Sequence, residues 1–368
     1  MPEVDGLRFV AILWVFLFHA CGYTQVKSGM SAQSDGFSSF LARYIQHFDF
    51  GVQLFFAISG FILALPFAAR RAEGRAPVSL KSYYLRRVTR LEPPYIVNLL
   101  AIFTLLVVVK HDSATGLLPH LLASLSYTHS LFYGEPNIIN YVTWSLEIEV
   151  QFYIIVPLLA TVFAISKPPW RRAVILALCV SPIVLQQFVH GLSLSILGQL
   201  QYFMLGFLLA DFFVTDWKRQ PRRNAGWDVV SIVAWVAMLW LLNQKTLRPW
   251  LLPVCVLLCY VGVFRGRVFN CIFRNRWLVT IGGMCYTIYL YHFLIISVAG
   301  RWSASHTVRA LFWPNLLVQS VCLGFWVLSV SALLFLAVEK PCMYKDWPNR
   351  VWSAVRRTRR PALAKGEK

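Results

Sequence analysis

Apolar stretches recur along this chain at about 20 residues each, the length an α-helix needs to cross a bilayer. Ten are read as spans: 7–24, 48–69, 93–110, 141–165, 173–190, 195–215, 228–243, 249–264, 278–299 and 315–338. The runs are continuous rather than alternating, which argues against a transmembrane β-barrel. Only 14% of the residues are charged and 58% are hydrophobic, with a mean hydropathy of +0.58. A soluble domain carries close to twice that charge. The expected fold class is therefore all-α: a polytopic transmembrane helix bundle over 1–342, followed by a basic tail over 343–368. The spans at 228–243 and 249–264 are short, and a single re-entrant pair is the alternative for them. Pro93-Pro94 suits a helix start for the third span.

The net charge of +19 does not point to nucleic acid. The bases sit in short clusters between apolar runs, the pattern that fixes membrane orientation. With the N-terminus inside, the inner segments hold 28 Lys and Arg. The outer segments hold 7: Lys27, Arg43, Lys110, Lys245, Arg248, Arg301 and Arg309. This split predicts that both termini are cytoplasmic and that the number of spans is even. The tail "RRTRRPALAKGEK" is expected to be disordered against anionic lipid. Acidic Glu3 and Asp5 precede the first run, so no cleavable signal is expected. The eight cysteines lack metal-site or CxxC spacing, and no metal site is expected.

Ionisable groups inside spans are costly, so each is a candidate for function. His19 lies in the first span, Glu147 and Glu149 in the fourth, Asp211 in the sixth and His292 in the ninth, with Arg8 at a span edge. Asp211, near a span end, reads as a helix-packing pair. Arg8 and His19 are 11 residues apart, about three helical turns, so they share one face with an axial rise of roughly 16 Å. Asp5 can pair with Arg8. Histidine suits proton transfer at neutral pH. In "KSYYLRRVTRLEPPY", Arg86, Arg87 and Arg90 are spaced to cluster if helical. Such arginines bind phosphate bidentately, or they only mark the inner side of the membrane. Glu147 and Glu149, two residues apart, point to different faces. One is expected to pair with an arginine or histidine and the other to face water at the outer mouth.

These segments together resemble the acyltransferase family 3 of membrane proteins. The family's "LDGLRGIA…H" is met by Asp5-Gly6-Leu7-Arg8 through His19, and "GxxxFFxxSGF" by Gly51, Phe55, Phe56, Ser59, Gly60 and Phe61. "RRxxRxxPxY" is met by Arg86, Arg87, Arg90, Pro93 and Tyr95, and "WSLxxExQFY" by Trp144 to Tyr153 with Glu149. "SYxxYLxH" is met by Tyr286, Tyr289, Leu290 and His292, and a closing "ExP" by Glu339 and Pro341. Cys285 stands where the family has serine, and Glu147 is an additional acid. A hydrolase-like domain that some members append is not expected here, which leaves transfer to the membrane domain or to a separate partner.

The resemblance implies transfer of an acyl group, usually acetyl, from acyl-CoA to a hydroxyl. The acceptor class is a carbohydrate, a lipid-linked glycan or a small molecule, and the setting a bacterial inner membrane. On that reading Arg87 and Arg90, helped by Arg86, hold the CoA phosphates. Arg8 positions the donor or holds the thioester oxygen, and His19 is the general base, with an acyl-histidine as the less favoured route. Glu149, Tyr286 and His292 shape the site. Ser59-Gly60 reads as a close-packing point rather than a nucleophile. Outer-loop aromatics, Phe37, Phe40, Tyr44, Tyr127, Phe132 and Tyr133, either stack on sugars or anchor at the interface. The competing function is a secondary transporter or export protein for a small polar solute, which also needs mid-membrane ionisable groups. A membrane scaffold would need no aligned Arg8 and His19.

Overall fold

The structure, a computed structural model, describes residues 1–28, 36–303, 312–344 and 347. Every regular element among them is helical. This is the expected result for long apolar segments, because lipid offers no partner for backbone N–H and C=O groups and a helix satisfies them internally. The elements in chain order are α1 (Pro2–Ser28), α2 (Gly36–Ile45), α3 (Gly51–Ala72), α4 (Leu80–Val109), α5 (Ala114–Leu125), α6 (His129–Tyr133), α7 (Trp144–Leu159) and α8 (Pro168–Phe188). There follow α9 (Ile196–Asp211), α10 (Ala225–Leu241), α11 (Arg248–Arg265), α12 (Val268–Phe273), α13 (Arg276–Gly283), α14 (Cys285–Ser303), α15 (Phe312–Leu334) and α16 (Lys340–Cys342). The chain is an integral membrane protein.

Eight of the described helical segments are long and apolar enough to cross a membrane alone. A ninth would be the pair α13 and α14, bent by 72° where they join. The expected count of ten differs at 228–243, which is α10, only 17 residues long. The neighbouring α11 is 18 residues long and is one of the eight. The tail from 345 on lies outside the described residues except for Trp347.

The third span also begins earlier than its prolines suggest. Ser79 caps α4 by accepting the Ser82 N–H at 3.3 Å, and the helix continues through Pro93 and Pro94. Pro93 has no N–H to give the Thr89 carbonyl. The Trp347 indole N–H donates to that carbonyl instead, at 2.9 Å. One gap in the ladder is thus filled from the far end of the chain, and the arginine segment becomes part of the helix.

The core is organised around α9, which is buried from Gly198 to Asp211. It packs on α3 through facing glycines. A Cβ on Gly60 would overlap the Phe203 carbonyl, and one on Gly206 would overlap the backbone of Ala57 and Phe61. Such backbone approach is how helices associate in lipid. Phe203 stacks between Phe56 and Phe152, with ring centroids 4.6 Å and 3.9 Å away. The end of α9 is pinned as expected of Asp211: its carboxylate accepts from Arg171 Nε at 2.5 Å and Arg172 Nε at 2.7 Å. Asp211→Ala would strand the buried Arg171 charge. The expected loss is about 3–5 kcal/mol, read as a lower thermal midpoint of the purified protein.

Candidate active site

A cavity of about 430 Å³ opens where α1, α3, α4, α7 and α14 meet the segment after α15. The helical spacing of the arginine cluster decides one wall. Arg86 is exposed at the rim, and Arg87 and Arg90, partly buried, line the interior. Arg87 lies 3.7 Å over the Tyr83 ring and donates to the Tyr83 carbonyl at 2.7 Å. Arg90 is 3.8 Å from the fully buried Glu339 carboxylate, which also accepts from the Thr287 hydroxyl at 2.6 Å. The Nε atoms of both arginines are buried without a hydrogen-bond partner. Each has donor capacity that the protein leaves unspent.

Arg8 enters from α1, held to Asp5 at 2.7 Å as its spacing predicts. Glu149 enters from α7 and accepts a short hydrogen bond from the Ser59 hydroxyl. Ser59 therefore lines the cavity, while its neighbour Gly60 makes the close helix approach. The bend before α14 delivers Cys285 and Tyr286 to the same space, with the Tyr286 hydroxyl donating to the Leu91 carbonyl at 2.8 Å. The first turn of α14 thus borders the cavity, and a helix N-terminus favours negative charge nearby.

His19 is not in this cavity. It lines a second one, of about 700 Å³, at the other end of α1. The shared face of Arg8 and His19 is present in the helix, but the two residues serve different cavities. Between them stand Tyr289, which lines the first cavity, and His292, whose ring centroid is 5.8 Å from Tyr289 and 5.1 Å from His19. His292 is fully buried. Its Nδ1–H donates to the Tyr289 carbonyl at 2.7 Å, which leaves Nε2 with a lone pair and no partner. Tyr289 is fixed by the Ser145 hydroxyl at 2.6 Å and by donating to the Val142 carbonyl at 2.7 Å.

The two acids of α7 separate as their spacing requires, but neither makes an ion pair with an arginine or histidine within 4 Å among the described residues. Glu147 does not face outer water. It is fully buried and accepts the Ser130 N–H at 2.8 Å, tying the start of α6 to α7. That bond uses Oε2, and Oε1 is buried without a hydrogen-bond partner. Of the outer aromatics, Tyr127 is buried in a stack on Tyr95 with centroids 4.7 Å apart, whereas Phe132 is exposed.

Residues 1–336 match the family model of the acyltransferase domain of family 3. The chain belongs to acyltransferase family 3. The chain is 26% identical to "Putative O-acetyltransferase SAS0844" of Staphylococcus aureus over 81% of its length and 51% of that protein. The chain thus spans about half the length of that relative. It is 26% identical to "Acyltransferase MdmB" of Streptomyces mycarofaciens over 93% of the chain and 92% of the relative. It is also 26% identical to "Peptidoglycan O-acetyltransferase OatA" of Listeria monocytogenes over 44% of the chain and 24% of that protein. No solved structure matches it.

The fold brings Arg8, Ser59, Arg86, Arg87, Arg90, Glu149 and Tyr286 to one cavity, and places His19 and His292 beyond it. Sequence reasoning missed the Arg90–Glu339 pair, the Ser59–Glu149 bond and the histidine pair. Each joins residues far apart in the chain, and one sequence carries no signal for such pairing beyond the presence of both members.

Proposed function

We propose that this acyltransferase moves an acyl group, acetyl by preference, from acyl-CoA in the arginine-lined cavity to a hydroxyl at the His19 cavity. The acceptor is a cell-surface glycan or a related hydroxyl-bearing molecule, and the membrane is the bacterial inner membrane. The observation that carries the reading is the pair of cavities at opposite ends of α1, separated by Tyr289 and His292. Acyl-CoA is a cytoplasmic, phosphate-rich donor. Arg86, Arg87 and Arg90 line the cavity at the end that the charge count makes cytoplasmic, where guanidinium groups suit phosphate oxygens.

The acyl carbon then comes level with Tyr289, and Arg8, held to Asp5 at the other end of the cavity, positions the donor at the rim. His19 takes the proton of the acceptor hydroxyl, and His292 beside it, its tautomer fixed, shares that proton. The hydroxyl oxygen forms the new bond to the acyl carbon, the carbon–sulfur bond breaks, and the CoA thiolate leaves and is protonated. Glu149 and Ser59 hold the wall between α3 and α7. The relatives' names support an O-acetyl product and, through the peptidoglycan enzyme, a glycan acceptor.

Proteoliposomes given labelled acetyl-CoA on the arginine side test the reading. The expected result is acceptor-dependent release of CoA thiol, with label on the acceptor. Solute flux without CoA release would instead make the protein a secondary transporter or export protein. Mass spectrometry of surface glycans from cells with and without the protein identifies the acceptor.

A further inference from the structure

The His19 cavity has a charge pattern that acyl transfer to a neutral sugar would not use. Lys27, Lys110 and Arg301 line it together with His19, and among the described residues no carboxylate does. None of the three cations makes an ion pair within 4 Å among the described residues. They come from the C-terminal ends of three different helices, α1, α4 and α14. Basic residues are scarce on this side of the bundle. The outer segments carry seven, and three of those gather at one cavity. A cation at a helix C-terminus complements the helix dipole. That accounts for one base on each helix, but not for the convergence of three on a single space without a counter-charge. Gln25 and Gln46 add amide donors to the same wall.

We infer that the acceptor is an anion: its acylated sugar, or the group next to it, carries an oxyanion, either phosphate or carboxylate. The inference rests on the proposed acyl transfer and narrows its acceptor. The three cations hold the oxyanion at the cavity mouth while the hydroxyl reaches His19. The cations are solvent-exposed, so the attraction is screened by salt.

The test uses the full chain in proteoliposomes with labelled acetyl-CoA and three matched acceptors: a neutral oligosaccharide, the same oligosaccharide bearing a uronic acid, and its polyprenyl-diphosphate-linked form. Transfer to one or both anionic acceptors should exceed transfer to the neutral one by roughly tenfold or more. Which anionic acceptor is preferred separates carboxylate from phosphate. The triple variant K27Q/K110Q/R301Q should raise the acceptor KM by roughly tenfold or more, leaving the KM for acetyl-CoA, set in the other cavity, unchanged. K27R/K110R should keep the wild-type acceptor KM, which separates charge from folding. Equal use of the neutral acceptor, or an unchanged acceptor KM in the triple variant, overturns the inference. The acetylated molecule recovered from cells gives an independent reading. A neutral product sinks the anionic acceptor and leaves acyl transfer standing, whereas no acetyl transfer to any molecule sinks the proposed function and this inference with it.

Discussion

Purified His19→Ala is expected to lose acyl transfer by about 10²- to 10⁴-fold, the contribution of a positioned acid–base group, while binding CoA as the unaltered chain does. The two halves of that expectation come from the geometry. His19 lines the cavity that lacks the arginine cluster, so its removal leaves the arginine-lined wall intact. His292, with its ring centroid 5.1 Å away and an unpartnered Nε2, sharpens the test. If the two histidines work as one unit, the double variant should be no slower than the worse single variant, as is usual for groups that share one step. Full activity in His19→Ala would remove the base assignment. Losses that multiply in the double variant would mean that the histidines act separately.

Arg87→Ala with Arg90→Ala should weaken CoA binding by about 10²-fold or more, since each charged hydrogen bond to phosphate contributes about 1.5–3 kcal/mol. At saturating donor the chemistry at His19 should persist. Arg90 needs a control, because its loss also leaves Glu339, fully buried, with only its Thr287 bonds. Arg90→Lys keeps that charge but lacks the bidentate fork. It should keep the thermal midpoint while still binding CoA less well. Isothermal titration with CoA reads the affinity directly, and unchanged affinity in the double alanine variant would return the cluster to a topological role.

Much of the bundle is legible in the sequence because bilayer thickness imposes a length on each apolar run. All ten expected segments are helical in the structure, but α10 has only 17 residues and the ninth span is bent, a break that no hydropathy window resolves. The grouping of Arg86, Arg87 and Arg90 was readable because helix geometry alone sets it. Pro93-Pro94 misled, since the sequence cannot show that Trp347 supplies a donor 258 residues away. The two α7 acids show the same limit. Spacing told that they diverge, but not that Ser130 would donate to Glu147 and Ser59 to Glu149. Arg8 and His19 show it most clearly. Their common face was calculable, whereas the division of the space beside them depends on Tyr289 and His292 from another helix.

The indole at Thr89 has a mechanical consequence. A helix with two adjacent prolines has lost two rungs of its ladder and would flex there. Trp347 splints that joint from outside, one residue from Arg90 and within three of Arg86 and Arg87. Met343 and Tyr344, just before it in the chain, form part of the cavity wall. The placing of the α4 turn that carries the arginine cluster is therefore set partly by residues that lie beyond the last long helix.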